Sequence, residues 1–167
     1  MRLAALAPVV ISTALLAGCA TPDRDGRLQP GISREADIVA IYGHPKRVWP
    51  EADGGRTLEY STQPRGEHCY MVHLAADGRL LGSEDTLAPA GRARVEVGMT
   101  PEQVSRILGT ERSRVFFRLS GEDVWDWTIL PDQVGYGMRF NVYFKDGRVV
   151  RTGESMVFPS RFMGLDD

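Results

Sequence analysis

Apolar residues recur at two distinct periods along the second half of the chain, and each period asks for a different element. In GMTPEQVSRILG, from Gly98 to Gly109, the spacing of Val104, Ile107 and Leu108 predicts a short helix with one buried stripe. Thr100 can accept from a first-turn amide, Pro101 suits the first helical position, Gln103 can close a capping box, and Gly109 stands where a left-handed terminal residue is wanted. The period then changes to two. Val115, Phe117 and Leu119, then Trp125, Trp127 and Ile129, then Phe140, Val142 and Phe144 alternate with polar neighbours as half-buried strands do. Gly121-Glu122-Asp123 reads as one hairpin turn and Asp146-Gly147 as another, with Val149-Val150 opening a last strand. The pattern predicts a short helical region packed on one face of an antiparallel meander.

The same order occurs about 67 residues upstream. Gly31-Ile32-Ser33 predicts a Ser-capped helix carrying Ile38, Ile41 and Tyr42 and ending at Gly43. Leu58-Glu59-Tyr60 then answers Trp125-Asp126-Trp127, and YMVHLAADGRLL from Tyr70 answers FNVYFKDGRVV from Phe140, turn for turn. Such ordered correspondence at nearly constant spacing predicts a tandem duplication. The fold class expected is α+β, with two units that each pack short helices on one face of a small antiparallel sheet.

The beginning of the chain has a different character. Met1-Arg2 followed by an apolar run to Leu16-Ala17-Gly18-Cys19 has the layout of a secretory signal and is too short to span a bilayer comfortably. Its small residues before a cysteine resemble a bacterial lipoprotein signal, which implies that Cys19 becomes an acylated first residue, for example with palmitate. Several acyl chains would hold the protein stably at a membrane, since each buried methylene contributes about 0.8 kcal/mol. Ala20 after the cysteine is similar to lipoproteins sent to the outer membrane. The expected organisation is a signal over 1–18, a lipidated tether over 19–30, one repeat over 31–82, a linker over 83–96, the second repeat over 97–152 and a loosely held tail over 153–167, facing the periplasm.

Composition excludes more than it proposes. A net charge of −2, with no basic stripe and no interleaved aromatics, argues against a nucleic-acid partner. With Cys19 lipidated, Cys69 has no intrachain partner for a disulfide. His68 and His73 differ by an odd number and leave opposite faces of a strand, so with Cys69 they supply too few convergent ligands for a metal. His44 reads as an exposed turn residue. Glu122, Asp123 and Asp126 read as solvated acids, and no nucleophile elbow, phosphate loop or HExxH helix is present. The chain is expected to be no enzyme, with no cofactor and no small-molecule substrate.

Alternation divides the strand residues by face. Trp125, Trp127, Phe140, Val142 and Phe144 in one repeat, and Leu58, Tyr60, Tyr70, Val72 and Leu74 in the other, are expected to point at the helices. Glu59, Met71, His73, Asp126, Arg139, Asn141 and Tyr143 fall on the opposite faces. An antiparallel sheet can leave such a face open, and Met, Tyr and Arg are enriched at interfaces. Met71, His73, Arg139, Asn141 and Tyr143 are therefore the candidate partner-binding residues.

GMTPEQVSRILG, the Trp-Asp-Trp strand and the closing VYFKDGRVV together resemble the SmpA/OmlA (BamE-like) family of outer-membrane lipoproteins, with motif coverage over 97–151 and a weaker match over 30–81. The resemblance implies a helical pair against a three-stranded sheet, and an accessory or scaffold role in β-barrel outer-membrane protein assembly or envelope maintenance. Members of that family have one such unit, whereas two are expected here. A tandem pair is also similar in architecture to β-lactamase inhibitor proteins, which implies a periplasm-facing module that binds or inhibits another protein.

Overall fold

The structure, a computed structural model, describes residues 27–158. The signal segment, Cys19 and the last nine residues lie outside that range. In chain order the elements are α1 (Glu35–Tyr42), β1 (Arg47–Pro50), β2 (Arg56–Ser61), β3 (Cys69–Leu74), β4 (Leu80–Asp85), α2 (Pro89–Arg92), α3 (Pro101–Leu108), β5 (Ser113–Phe117), β6 (Glu122–Ile129), β7 (Met138–Lys145) and β8 (Arg148–Met156). The strands form two four-stranded antiparallel meanders, β1-β2-β3-β4 and β5-β6-β7-β8. The expected α+β fold of two units is present, with four strands in each where the family resemblance implied three.

Both eight-residue helices form for local reasons, but not the same ones. At α3 the expected capping box is complete: Gln103 N donates to Thr100 Oγ1 at 3.2 Å and Thr100 N donates to Gln103 Oε1 at 2.8 Å. At α1 the cap position belongs to Arg34 rather than Ser33, and the Asp37 carboxylate accepts from the Arg34 amide at 2.8 Å. The Ser33 hydroxyl is engaged one turn earlier, where it accepts from Gln29 N. Gly31 N and Ser33 O also bond Leu80 across the sheet end, which draws the approach to α1 into the fold. Leu28 is buried with it, so the first repeat begins before the expected tether ends.

The other corrections concern the second sheet. The β5–β6 turn occupies residues 118–121, and Glu122 and Asp123 are the first residues of β6 rather than a turn. Gly153, Ser155 and Met156 pair with Asn141, Arg139 and Met138, so the first part of the expected tail is the edge strand β8. Similarly, β4 continues to Asp85 and α2 occupies part of the segment between the repeats.

Stacking of the two units determines everything that follows. Ile38 of α1 packs with Leu58, Val72 and Leu74 on the even-numbered face of the first sheet. Cys69 and Met71, on the odd-numbered face, join a second core with Val104 and Leu108 of α3 and with Trp125, Trp127, Phe140 and Val142 of the second sheet. The layers therefore run α1, first sheet, α2 with α3, second sheet. Helix α3 lies between two sheets, and the first sheet is covered on both faces.

Candidate functional site

The junction shows why the first sheet has no free face. Glu59 is fully buried there, and its carboxylate is satisfied by both repeats: Trp49 Nε1 donates at 3.1 Å, Thr110 N at 2.7 Å and Thr110 Oγ1 at 2.5 Å. A buried carboxylate persists only when paired in this way. Behind it, Trp127 Nε1 donates to Gly109 O at 3.3 Å. Gln63 adds a further link, donating to Thr128 O and accepting from Thr128 N, so one side-chain amide occupies the open ladder position of β6 beyond β5. Burial, and then the Glu59 carboxylate beside it, push the Cys69 thiol up to about 12, which leaves it protonated and unreactive at neutral pH.

Met71 and His73 are therefore not on an open sheet face. Met71 is 1% exposed, in the core against α3. The second repeat covers the face that alternation alone assigns to solvent. His73 lies in a cleft of about 170 Å³ between the first sheet and α3, with Trp49, Glu51, Glu84, Arg94 and Arg106 around it. Its Nδ1 is 2.9 Å from Thr57 Oγ1, and Glu84 is 2.9 Å from Arg94, so the cleft's charges largely answer one another. Among the described residues no group of three or more His, Cys, Asp or Glu could hold a metal ion, and no helix is long and apolar enough to cross a membrane.

Arg139, Asn141 and Tyr143 do lie on one side, the outer face of the second sheet, where Arg139 and Tyr143 are half-buried and Asn141, at 8% exposure, is buried among its neighbours. The register places Thr128, Asp126 and Val124 of β6 opposite them on one side and Ser155, Gly153 and Arg151 of β8 on the other. Side chains on this face are held in fixed positions. Asn141 Nδ2 donates to Ser155 Oγ at 3.0 Å. Arg151 lies over the Tyr143 ring at 3.3 Å and pairs with Glu122 at 3.0 Å. That hydrogen bond is the main reason the Glu122 carboxyl is held below its usual range and the Arg151 guanidinium above its own.

Asp126 departs from the expectation of a solvated acid. It is 7% exposed and accepts from Arg112, and from Ser113 Oγ at 2.5 Å. Arg112, Ser113 and Arg151 are members of this surface that sequence reasoning did not single out. The strand period could have placed Ser113 and Arg151, since they are cross-strand neighbours of Asp126 and Tyr143. Nothing in the sequence announces the Arg112–Asp126 pair. The arrangement presents fixed charges and hydrogen-bonding groups. It is suited to recognising another surface.

No protein-family model matches this chain, and no curated protein matches it. Among solved structures, it is similar to a Streptococcus mutans protein described as a candidate β-lactamase inhibitor protein, at 10% identity and a TM-score of 0.31 over 82% of this chain and 90% of that one. It is also similar to a DUF4309 family protein (YjgB) of Bacillus subtilis, at 18% identity and a TM-score of 0.28 over 79% and 84%. Likeness at this level carries no argument about activity.

Proposed function

We propose that this chain is a non-catalytic outer-membrane lipoprotein, tied by acyl chains on Cys19 and facing the periplasm, which docks a protein partner on the outer face of its second sheet. The role that fits is an accessory or scaffold in β-barrel outer-membrane protein assembly or envelope maintenance. One observation supports a binding surface there above all: among the described residues no helix or second sheet packs over this face, which the loop at Pro64 reaches only at Thr128, and its polar groups are paired and held in place. Preorganised groups lose little conformational entropy when a partner arrives. The test is copurification from detergent-solubilised membranes with wild-type chain, Tyr143→Ala and Arg139→Ala. Barrel-assembly subunits recovered with the wild type and depleted with both variants are the expected result, and recovery unchanged by either variant would remove the surface from consideration.

The second reading is a binding or inhibitor module for a periplasmic or secreted enzyme. What favours it is the tandem of two small sheets with one broad face left open. In the same experiment a hydrolase in place of assembly subunits would select it.

A further inference from the structure

The β5–β6 hairpin extends past the helical layer and carries its apolar side chains into solvent on every side. Phe117 and Val115 are 51% and 47% exposed on the outer face, Phe116 is 62% exposed on the inner side, and Leu119 at the turn is 106% exposed. Inner-side neighbours nearer the middle of the strands, Trp125 and Trp127, are buried by the core. Phe116 therefore lies beyond the shelter that α3 gives them. Large exposed apolar side chains gathered at one hairpin end mark a contact site. A flat protein surface could cover one face of the tip and would leave the other aromatic wet. A medium that surrounds the tip satisfies both aromatics and the turn together.

Arg118 lies within the turn and has no ion pair among the described residues, whereas Lys145, at the neighbouring β7–β8 turn, acts on Glu122 and is followed by Asp146, so the basic group offered at the tip itself is Arg118. Basic side chains with long apolar stems can keep their heads among lipid phosphates while their stems and adjacent aromatics enter the interfacial layer. We propose that the β5–β6 turn is a membrane-contact site, which inserts Phe116, Phe117 and Leu119 into the interfacial zone of a lipid bilayer. Phe117 lies at the hairpin end of the same outer face that carries Tyr143, Phe116 lies on the opposite side, and the contact does not depend on lipid at Cys19.

The test uses the full chain with Leu119→Trp, a change at a fully exposed position, mixed with phosphatidylcholine and phosphatidylglycerol vesicles carrying bromine at a shallow acyl position. Leu81→Trp, on an exposed position of the first repeat, is the control. Insertion predicts that the emission added by Leu119→Trp is blue-shifted and bromine-quenched while that added by Leu81→Trp is neither, and that the quenching is lost when Phe116→Ser and Phe117→Ser are combined with Leu119→Trp. Added emission that remains solvent-like and no more quenched than the control would overturn the proposal. So would a blue shift that appears only when a solubilised protein fraction is supplied, because the tip would then belong to a protein interface. Copurification through Tyr143 is read separately, with Phe116, Phe117 and Leu119 unchanged.

Discussion

Glu59 and Asp126 occupy the same position in the two repeats, each between the two residues that turn toward its unit's own helix, and they meet different fates. The second repeat closes over Glu59, leaving it fully buried against Thr110 and Trp49. Among the described residues no second unit closes over Asp126, which is shielded by its pairing with Arg112 and Ser113. The helix ends diverge in the same way. Gly43 and Gly109 both end their helices at positive φ, but a Cβ on Gly43 would meet nothing within 4 Å, whereas one on Gly109 would collide with Cys69 Sγ. The two copies differ less in local structure than in what is stacked on them.

The largest test of that difference is at the aromatic positions. Trp127→Ala empties a fully buried site and is expected to cost about 3–5 kcal/mol, against about 1–2 kcal/mol for Tyr60→Ala at the half-buried counterpart, read by urea denaturation. Equal losses would mean that the second core is not the tighter one. Next come the glycines. Gly109→Ala combines backbone strain with overpacking at roughly 2–4 kcal/mol, whereas Gly43→Ala bears the strain alone at about 1–2 kcal/mol.

Smaller effects are expected from the acids. Glu59→Gln puts an amide donor where Thr110 and Trp49 already donate, and is expected to cost about 1–3 kcal/mol. Asp126→Asn leaves one oxygen to accept from Arg112, loses the second guanidinium bond and turns its amide toward Ser113 Oγ, which can rotate to accept from it, and is expected to cost about 0.5–2 kcal/mol. A reversal of that order in thermal denaturation would contradict the stacking. The smallest effect at neutral pH belongs to Cys69. Its folded thiol is raised from 9.0 to about 12, so its contribution is fully present below pH 9 and is lost as pH rises from there through about 12. Alkylation rates across that range would show it, with Cys69→Ser flattening the alkaline limb of the stability profile.

Elements were more legible in the sequence than layers. Thr100, Pro101 and Gln103 determine α3 almost by themselves, and the alternation of β6 and β7 gives their faces directly, because these signals are local. Period two states only that neighbours point to opposite sides, not what lies over each side. Glu59 made the odd-numbered face of the first sheet read as wet. A contrary signal was present in CYMVHL, where Cys69 and Met71 are apolar on one face and Tyr70, Val72 and Leu74 on the other, the composition of a strand buried on both. In RFNVYF the face with Arg139, Asn141 and Tyr143 has no such run, and those three residues do lie on an outer face. The Arg112–Asp126 pair was out of reach because it depends on how a strand is entered rather than on its period.

The placement of α3 between the sheets has a consequence for copy number. When each unit's sheet is roofed by the helix of the unit after it, the terminal sheet of the row always stays bare, however many copies precede it. A third copy added in the same sense would lay its own helix across Tyr143 and move the vacancy along to itself. In such a row the uncovered face belongs to the position of being last, and the first unit by itself would offer the face that Met71 now fills.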